Sequence, residues 1–144
     1  MVQLNVNGVL YVAHAAIPHL LRAAEDGPRG VADLVNVSSV AGRRATTGSG
    51  VYNATKFAVN AFSESLRQEV TERHVRVAVI EPGAVATELT THLRDEVREQ
   101  LAQNFAGLDR LEAEDVAEAI SYVVTRPRRV AINELLIRPT EQVR

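Results

Sequence analysis

Three residues of this 144-residue sequence have types and a spacing suited to carbonyl chemistry: Ser39, Tyr52 and Lys56. Tyr52 and Lys56 stand four apart at the start of a predicted helix, so their side chains project from one helical face. An unperturbed tyrosine has a pKa of about 10, and a neighbouring ammonium favours the phenolate form, which suits the pair to proton exchange. Ser39 ends a predicted strand thirteen residues before Tyr52, and its hydroxyl can hold a substrate oxygen.

The elements that position these residues alternate along the chain. Apolar residues at three- and four-residue spacing predict helices, and short apolar runs predict strands. The predicted order is helix 1–24, strand 31–38, helix 51–73, strand 75–80, helices 89–105 and 115–125, and strand 130–137. Strands that alternate with covering helices favour an α/β parallel sheet, and the near-continuous apolar character of the first strand predicts cover on both faces.

Composition narrows the class of protein. The chain is 46% hydrophobic, which is enough for one domain with a buried core, and a net charge of −2 gives no reason to expect nucleic acid as a partner. The absence of cysteine excludes disulfides and thiolate chemistry and is typical of the cytoplasm. The longest apolar stretch, 9–24, is interrupted by His14, His19 and Arg22 and is shorter than the ~20 residues that span a bilayer. The histidines have no metal-ligand spacing, so the sequence predicts neither a metal site nor a membrane partner.

Four motifs in sequence order resemble the short-chain dehydrogenases/reductases over essentially all 144 residues. They are Asn5-Val6-Asn7-Gly8, Asn36-Val37-Ser38-Ser39, Tyr52-Asn53-Ala54-Thr55-Lys56 and Pro82-Gly83-Ala84-Val85-Ala86-Thr87. The tail 133–140 is also similar to a bacterial subgroup that includes clavulanic acid dehydrogenase-like reductases, which generally use NADP.

The resemblance implies a role for each matching residue. Tyr52 would be the general acid/base, and Ser39, rather than Ser38, would polarise the substrate carbonyl or hydroxyl. Lys56 would favour the phenolate and bind the nicotinamide ribose, and Asn5 would hold a water that links Lys56 to solvent.

The resemblance also implies the cofactor and the partners. The loop that begins at Pro82 and Gly83 would meet the nicotinamide, with the Val85 backbone at the carboxamide and Thr87 near the phosphates. The cofactor would be NADP, with NAD also open, and the substrate a small carbonyl compound or alcohol. The first two helices build dimer interfaces in this family, so a homo-oligomer is expected.

One family feature is absent from the sequence. The family begins with a strand and a Thr-Gly-x-x-x-Gly-x-Gly turn that approaches the cofactor pyrophosphate, whereas here Gly48-Ser49-Gly50 directly precedes Tyr52 and is no substitute. The sequence therefore predicts that residues 1–144 form a single partial domain, the catalytic and substrate half of an incomplete doubly wound Rossmann-type sheet. In this interpretation Met1 is an internal methionine of an N-terminally truncated enzyme.

Three functions are compatible with the residues. The first is an NAD(P)-dependent oxidoreductase that interconverts a carbonyl and a secondary alcohol. The second is a non-catalytic remnant or interaction subunit that binds no nucleotide, as the missing glycine turn suggests. The third is an extended-type relative such as a nucleotide-sugar epimerase, which shares Tyr-x-x-x-Lys but is disfavoured by the loop 82–87.

Overall fold

The computed structural model describes residues 1–87, 99, 103 and 105–143, and in these ranges strands alternate with helices as predicted. The predicted helix 89–105 falls largely outside the described residues. A π-helical segment, Gln3–Gly8, leads into the first α-helix, and short 3-10 turns stand at Val40–Gly42 and Thr71–Arg73. The main elements are α1 (Val9–Asp26), β1 (Ala32–Val37), α2 (Gly50–Val70), β2 (Val75–Pro82), α3 (Ala113–Val124) and β3 (Glu134–Ile137).

The three strands form one parallel sheet in the order β1-β2-β3. The β1 strand pairs with β2 from Ala32↔Val75 to Val37↔Ile80, and β2 pairs with β3 through Pro82↔Ile137. Because all strands run the same way, their carboxyl ends meet at one edge of the sheet, where ligands bind in open α/β folds. The predicted α/β fold, a partial Rossmann-type sheet, is therefore confirmed.

The strands differ in how fully they are covered. Every residue of β2 is buried, whereas β1 is mostly half-buried and Val37 is 48% exposed. Leu34 and Val35 of β1 are partly buried against the cores on opposite faces of the sheet, so the predicted cover on both faces is present but less complete than that of β2. Among the described strands β1 pairs with β2 alone. The last strand is also shorter than predicted: it begins at Glu134, after a turn at 127–130 that is closed by the Val130 N–H donating to the Pro127 carbonyl at 2.8 Å.

Helices pack on both faces of the sheet. Alternate β2 residues point to opposite sides: Val75 and Val77 join the core under α1 and α2, whereas Ala78 and Ile80 pack with Val123 of α3. The predicted apolar stripe of α2 is confirmed, with Phe62 partly buried and the other members fully buried: Thr55, Val59, Leu66 and Val70. Within the described ranges, no helix is both long and apolar enough to cross a membrane.

Candidate active site

Ser39 lies where β1 ends and a 3-10 turn begins. Its buried hydroxyl oxygen accepts a hydrogen bond from the Ala41 N–H at 3.1 Å and lies 3.5 Å from the Pro82 carbonyl oxygen. The neighbouring Ser38 hydroxyl instead donates to the Lys56 carbonyl at 3.3 Å, which fastens the end of β1 to the backbone of α2. The two serines therefore face different partners, and Ser39 is the one at the carboxyl end of β2.

Tyr52 and Lys56 occupy the first turns of α2, and both are half-buried. The Lys56 Nζ lies 5.7 Å from the centroid of the Tyr52 ring, within the range of a cation–π interaction. It also donates to the Val37 carbonyl at 3.1 Å. Burial lowers the pKa of Lys56, because desolvation penalises the ammonium form. The Tyr52 hydroxyl has no hydrogen-bond partner among the described residues, and Ser39 is not bonded to it.

Asn5 reaches the same helix from the N-terminal π-helical segment. Its Nδ2 donates to Thr55 Oγ1 at 3.2 Å, and the Thr55 hydroxyl donates in turn to the Tyr52 carbonyl at 2.8 Å. Such π-helical turns are rare and frequently occur at functional sites. The Asn5 amide is thus fixed one residue before Lys56 on α2, and its side chain bonds to Thr55 rather than to Lys56 itself.

The loop 82–87 is fastened from two sides. The Ala86 N–H donates to the Leu111 carbonyl at 2.7 Å and the Leu111 N–H to the Ala84 carbonyl at 3.0 Å, so that Val85 forms an isolated bridge with Leu111. From the other side, Gln142 Oε1 accepts the Ala84 N–H at 2.9 Å.

Gly83 permits that second contact. A Cβ at this position would lie 2.1 Å from Gln142 Oε1 and 3.2 Å from Pro139 Cδ, so only glycine leaves room for the C-terminal tail as it is packed. Thr87 is exposed and is the last described residue before a gap.

The structure adds a buried carboxylate, Glu81, which the sequence analysis did not assign to the site. Glu81 is completely buried and accepts three hydrogen bonds, from Arg43 Nε at 2.7 Å, Arg43 Nη2 at 2.6 Å and Asn60 Nδ2 at 2.7 Å. Arg43 also pairs with Glu134 of β3, and the two carboxylates raise the pKa of the Arg43 guanidinium above its usual range, Glu81 most strongly. The sequence signal was an acidic residue at the end of an apolar strand, because a buried carboxylate requires partners.

A second unassigned residue, Asn53, holds the loop between Ser39 and Tyr52. Its buried side chain donates to the Ala41 and Arg44 carbonyls, each at 2.9 Å, and accepts the Thr46 N–H at 3.2 Å. Asn53 follows Tyr52 directly, so the same turn of α2 carries the tyrosine and anchors the loop.

The contacts of Ser39 with Pro82 and of Lys56 with Val37 place these two residues at the carboxyl edge of the sheet. Comparison with known proteins gives the family. Residues 1–98 match the family model described as short chain dehydrogenase. The chain belongs to the short-chain dehydrogenase family.

Relatives and solved structures agree with that membership. An uncharacterized oxidoreductase of Staphylococcus saprophyticus is 36% identical over 99% of the chain and 56% of its own length. The closed form of a serine dehydrogenase complexed with NADP+ superposes with a TM-score of 0.87 at 32% identity, over 100% of this chain and 56% of that one.

A third neighbour, a 3-ketoacyl-(acyl-carrier-protein) reductase from Brucella melitensis complexed with NADH, superposes with a TM-score of 0.79. It is 25% identical, and the match covers 95% of this chain and 54% of that one. The short-chain dehydrogenase chain described here thus spans about half the length of the relatives it matches.

Proposed function

We propose that the protein is an NAD(P)-dependent oxidoreductase that interconverts a carbonyl and a secondary alcohol. The observation that carries this proposal is the placement of the Lys56 ammonium 5.7 Å from the Tyr52 ring, on the helix that follows Ser39. A phenol beside a cation at the carboxyl edge of a parallel sheet is suited to proton exchange with a bound oxygen.

In this proposal each residue has one task. Tyr52 exchanges the proton of the substrate oxygen, since its hydroxyl is left free by its described neighbours. Ser39 holds the same oxygen by a hydrogen bond, and Lys56 stabilises the phenolate. Asn5 would connect Lys56 to solvent through a water, a role that its fixed position beside Thr55 supports.

The residues present fit the nicotinamide end of the cofactor. Lys56 and Tyr52 would face the ribose, and the loop of Pro82, Gly83, Val85 and Thr87 would line the nicotinamide, because Leu111 and Gln142 hold that loop in place. When bound, the cofactor supplies or accepts the hydride. We propose NADP as the cofactor, with NAD as the alternative. The serine dehydrogenase neighbour binds NADP+ and the reductase neighbour binds NADH.

The proposal extends to the assembly and its setting. Residues 1–144 would act as the catalytic and substrate half of one Rossmann-type domain, in a cytoplasmic enzyme. Exposed apolar side chains on α1 and at the start of α2 support a homo-oligomer: Tyr11, Val12, Val51 and Phe57. Sedimentation equilibrium of the purified chain should therefore give at least twice the mass of one chain.

The tyrosine assignment is tested by removing one oxygen atom. Tyr52→Phe should abolish turnover of a panel of small ketones, and of serine with NADP+, followed by the absorbance of reduced nicotinamide. The matched control is Tyr122→Phe, since Tyr122 is exposed on α3 and its ring, not its hydroxyl, packs against Arg126. Turnover by Tyr52→Phe at the wild-type rate would contradict the assignment of Tyr52 as the proton-exchanging residue.

The second candidate is an interaction subunit that binds no nucleotide. It is favoured by the absence of a glycine-rich phosphate turn from the 144 residues. Titration of the purified protein with NADPH separates the two functions. Saturable binding that weakens in Lys56→Met supports the oxidoreductase, whereas no binding at millimolar NADPH supports the interaction subunit.

A further inference from the structure

Three segments that carry candidate site residues meet at one buried carboxylate. Glu81, with 0% exposure, directly precedes Pro82 at the end of β2. It binds Arg43, which lies four residues after Ser39, and Asn60, which lies four residues after Lys56. One side chain therefore touches the Ser39 turn, the helix of Tyr52 and Lys56, and the start of the cofactor loop.

The contacts are directional as well as close. The Arg43 guanidinium binds both Glu81 oxygens, at 2.7 and 2.6 Å, and such bidentate pairs fix orientation as well as distance. Asn60 Nδ2 lies between Glu81 and the Gly42 carbonyl, to which it also donates at 3.2 Å. The 3-10 turn that begins at Ser39 is thus held through its side chain, Arg43, and through its backbone at Gly42.

We propose that Glu81 is a positioning residue that sets the distance between the Ser39 hydroxyl and the Tyr52–Lys56 pair. This role rests on the proposed function, because it matters for turnover only if those groups act on one substrate oxygen. Glu81 is enclosed by Arg43 and Asn60, so it acts through them. Loss of its charge would release the turn 40–43 first, since Arg43 is itself 42% exposed at its side chain and can turn toward water.

The chain offers a matched control at the opposite end of the same two strands. Asp33 of β1 accepts Arg76 Nε at 2.7 Å and Nη2 at 3.0 Å, and both side chains are 8% exposed. This is also a buried, bidentate carboxylate–arginine pair. It lies at the second residue of each strand, away from the carboxyl edge that carries the site.

The experiment compares Glu81→Gln with Asp33→Asn in the full chain. Glutamine keeps the shape of Glu81 but removes the charge and turns an N–H group toward donors. Backbone amide exchange is measured for Ala41, Gly42 and Arg43, whose N–H groups bond within the turn at 2.8–3.1 Å. Relative to the global opening rate, exchange of these amides should rise about tenfold in Glu81→Gln and stay unchanged in Asp33→Asn.

Turnover is the second measurement. Because a displacement of about 1 Å can cost up to 100-fold in rate, kcat of Glu81→Gln should fall at least tenfold, with KM for NADPH within twofold of the wild type. Asp33→Asn should keep its kcat. Arg43→Lys, which keeps the charge and one contact with Glu81, should lower kcat less than Glu81→Gln does. It also replaces Glu81→Gln in both assays if that variant does not fold.

The outcomes separate the two proposals. Equal amide exchange in Glu81→Gln and Asp33→Asn overturns the positioning role. Faster exchange with wild-type kcat in Glu81→Gln overturns its catalytic consequence. Faster exchange in a protein whose wild type turns over no substrate supports the hold of Glu81 on the turn, and in that case the proposed function fails.

Discussion

Gly42 lies where the Ser39 turn packs against α2, and Gly42→Ala tests how tightly the two are packed. A Cβ at Gly42 would lie 2.9 Å from Asn60 Nδ2, 2.9 Å from Ser38 Oγ and 3.0 Å from the Lys56 carbonyl oxygen. The last atom belongs to the helix backbone, so it cannot rotate away. The turn must therefore shift, or the hydrogen bonds of Ser38 and Asn60 must break.

The loss of stability expected in Gly42→Ala follows from these contacts. Overpacking of a close-packed site costs about 1–3 kcal/mol, and loss of one hydrogen bond adds about 1 kcal/mol. Alanine also reduces the conformational freedom of the unfolded chain, which offsets about 0.4–1 kcal/mol of this destabilisation. Gly42→Ala should therefore lower the free energy of unfolding by roughly 1–3 kcal/mol. With a urea dependence of about 1–3 kcal/mol per molar, the unfolding midpoint should fall by roughly 1 M.

Gly50→Ala is the matched control for this measurement. Gly50 is the first residue of α2, and a Cβ there would meet no atom within 4 Å. This variant should be as stable as the wild type or more stable by up to about 1 kcal/mol. If urea unfolding followed by circular dichroism gives equal midpoints for the two variants, the Ser39 turn is not packed against α2 as described.

Two further predictions concern the charge and the loop at the site. Burial lowers the pKa of Lys56 in the folded protein below its usual 10.5. At pH values between the lowered pKa and 10.5 the unfolded chain binds more protons than the folded one, so the stability of the wild type rises with pH. In Lys56→Met the melting temperature should no longer rise over this pH range, and the variant should be at least as stable as the wild type near neutral pH but lack turnover. A pH dependence equal to that of the wild type would contradict the burial of the Lys56 ammonium. Gln142→Ala removes the acceptor of the Ala84 N–H and should weaken NADPH binding roughly 3- to 10-fold, as expected for about 1 kcal/mol, with little change in kcat. Wild-type affinity would show that the tail does not hold the loop.

The parallel sheet could be predicted from the sequence because its signal is local. The run Val75–Ile80 is apolar at almost every position and is fully buried, and the stripe of α2 repeats at helical spacing. The partial exposure of β1 was not predictable in the same way, since an apolar run such as 31–38 has the same sequence pattern at the edge and at the centre of a sheet. Cover depends on neighbours that are distant in sequence.

The candidate site also has a local part that could be predicted and a long-range part that could not. The spacing of Tyr52 and Lys56 is a property of one helix, so it could be read directly, and their juxtaposition follows from helical geometry. The partners of Glu81 could not be read, because Arg43 is 38 residues away and Asn60 is 21 residues away.

The sequence does indicate that Glu81 needs hydrogen-bond partners. A carboxylate that ends a fully buried strand is tolerated only where cations or N–H donors enclose it. The enclosing groups must come from whatever chain crosses the carboxyl edge of the sheet. Here these groups come from the Ser39 turn and α2, so the burial of Glu81 requires the two segments that carry the proposed catalytic residues to meet. A charged residue just before Pro82 and Gly83 is thus a sign that the adjoining loops are fixed relative to one another.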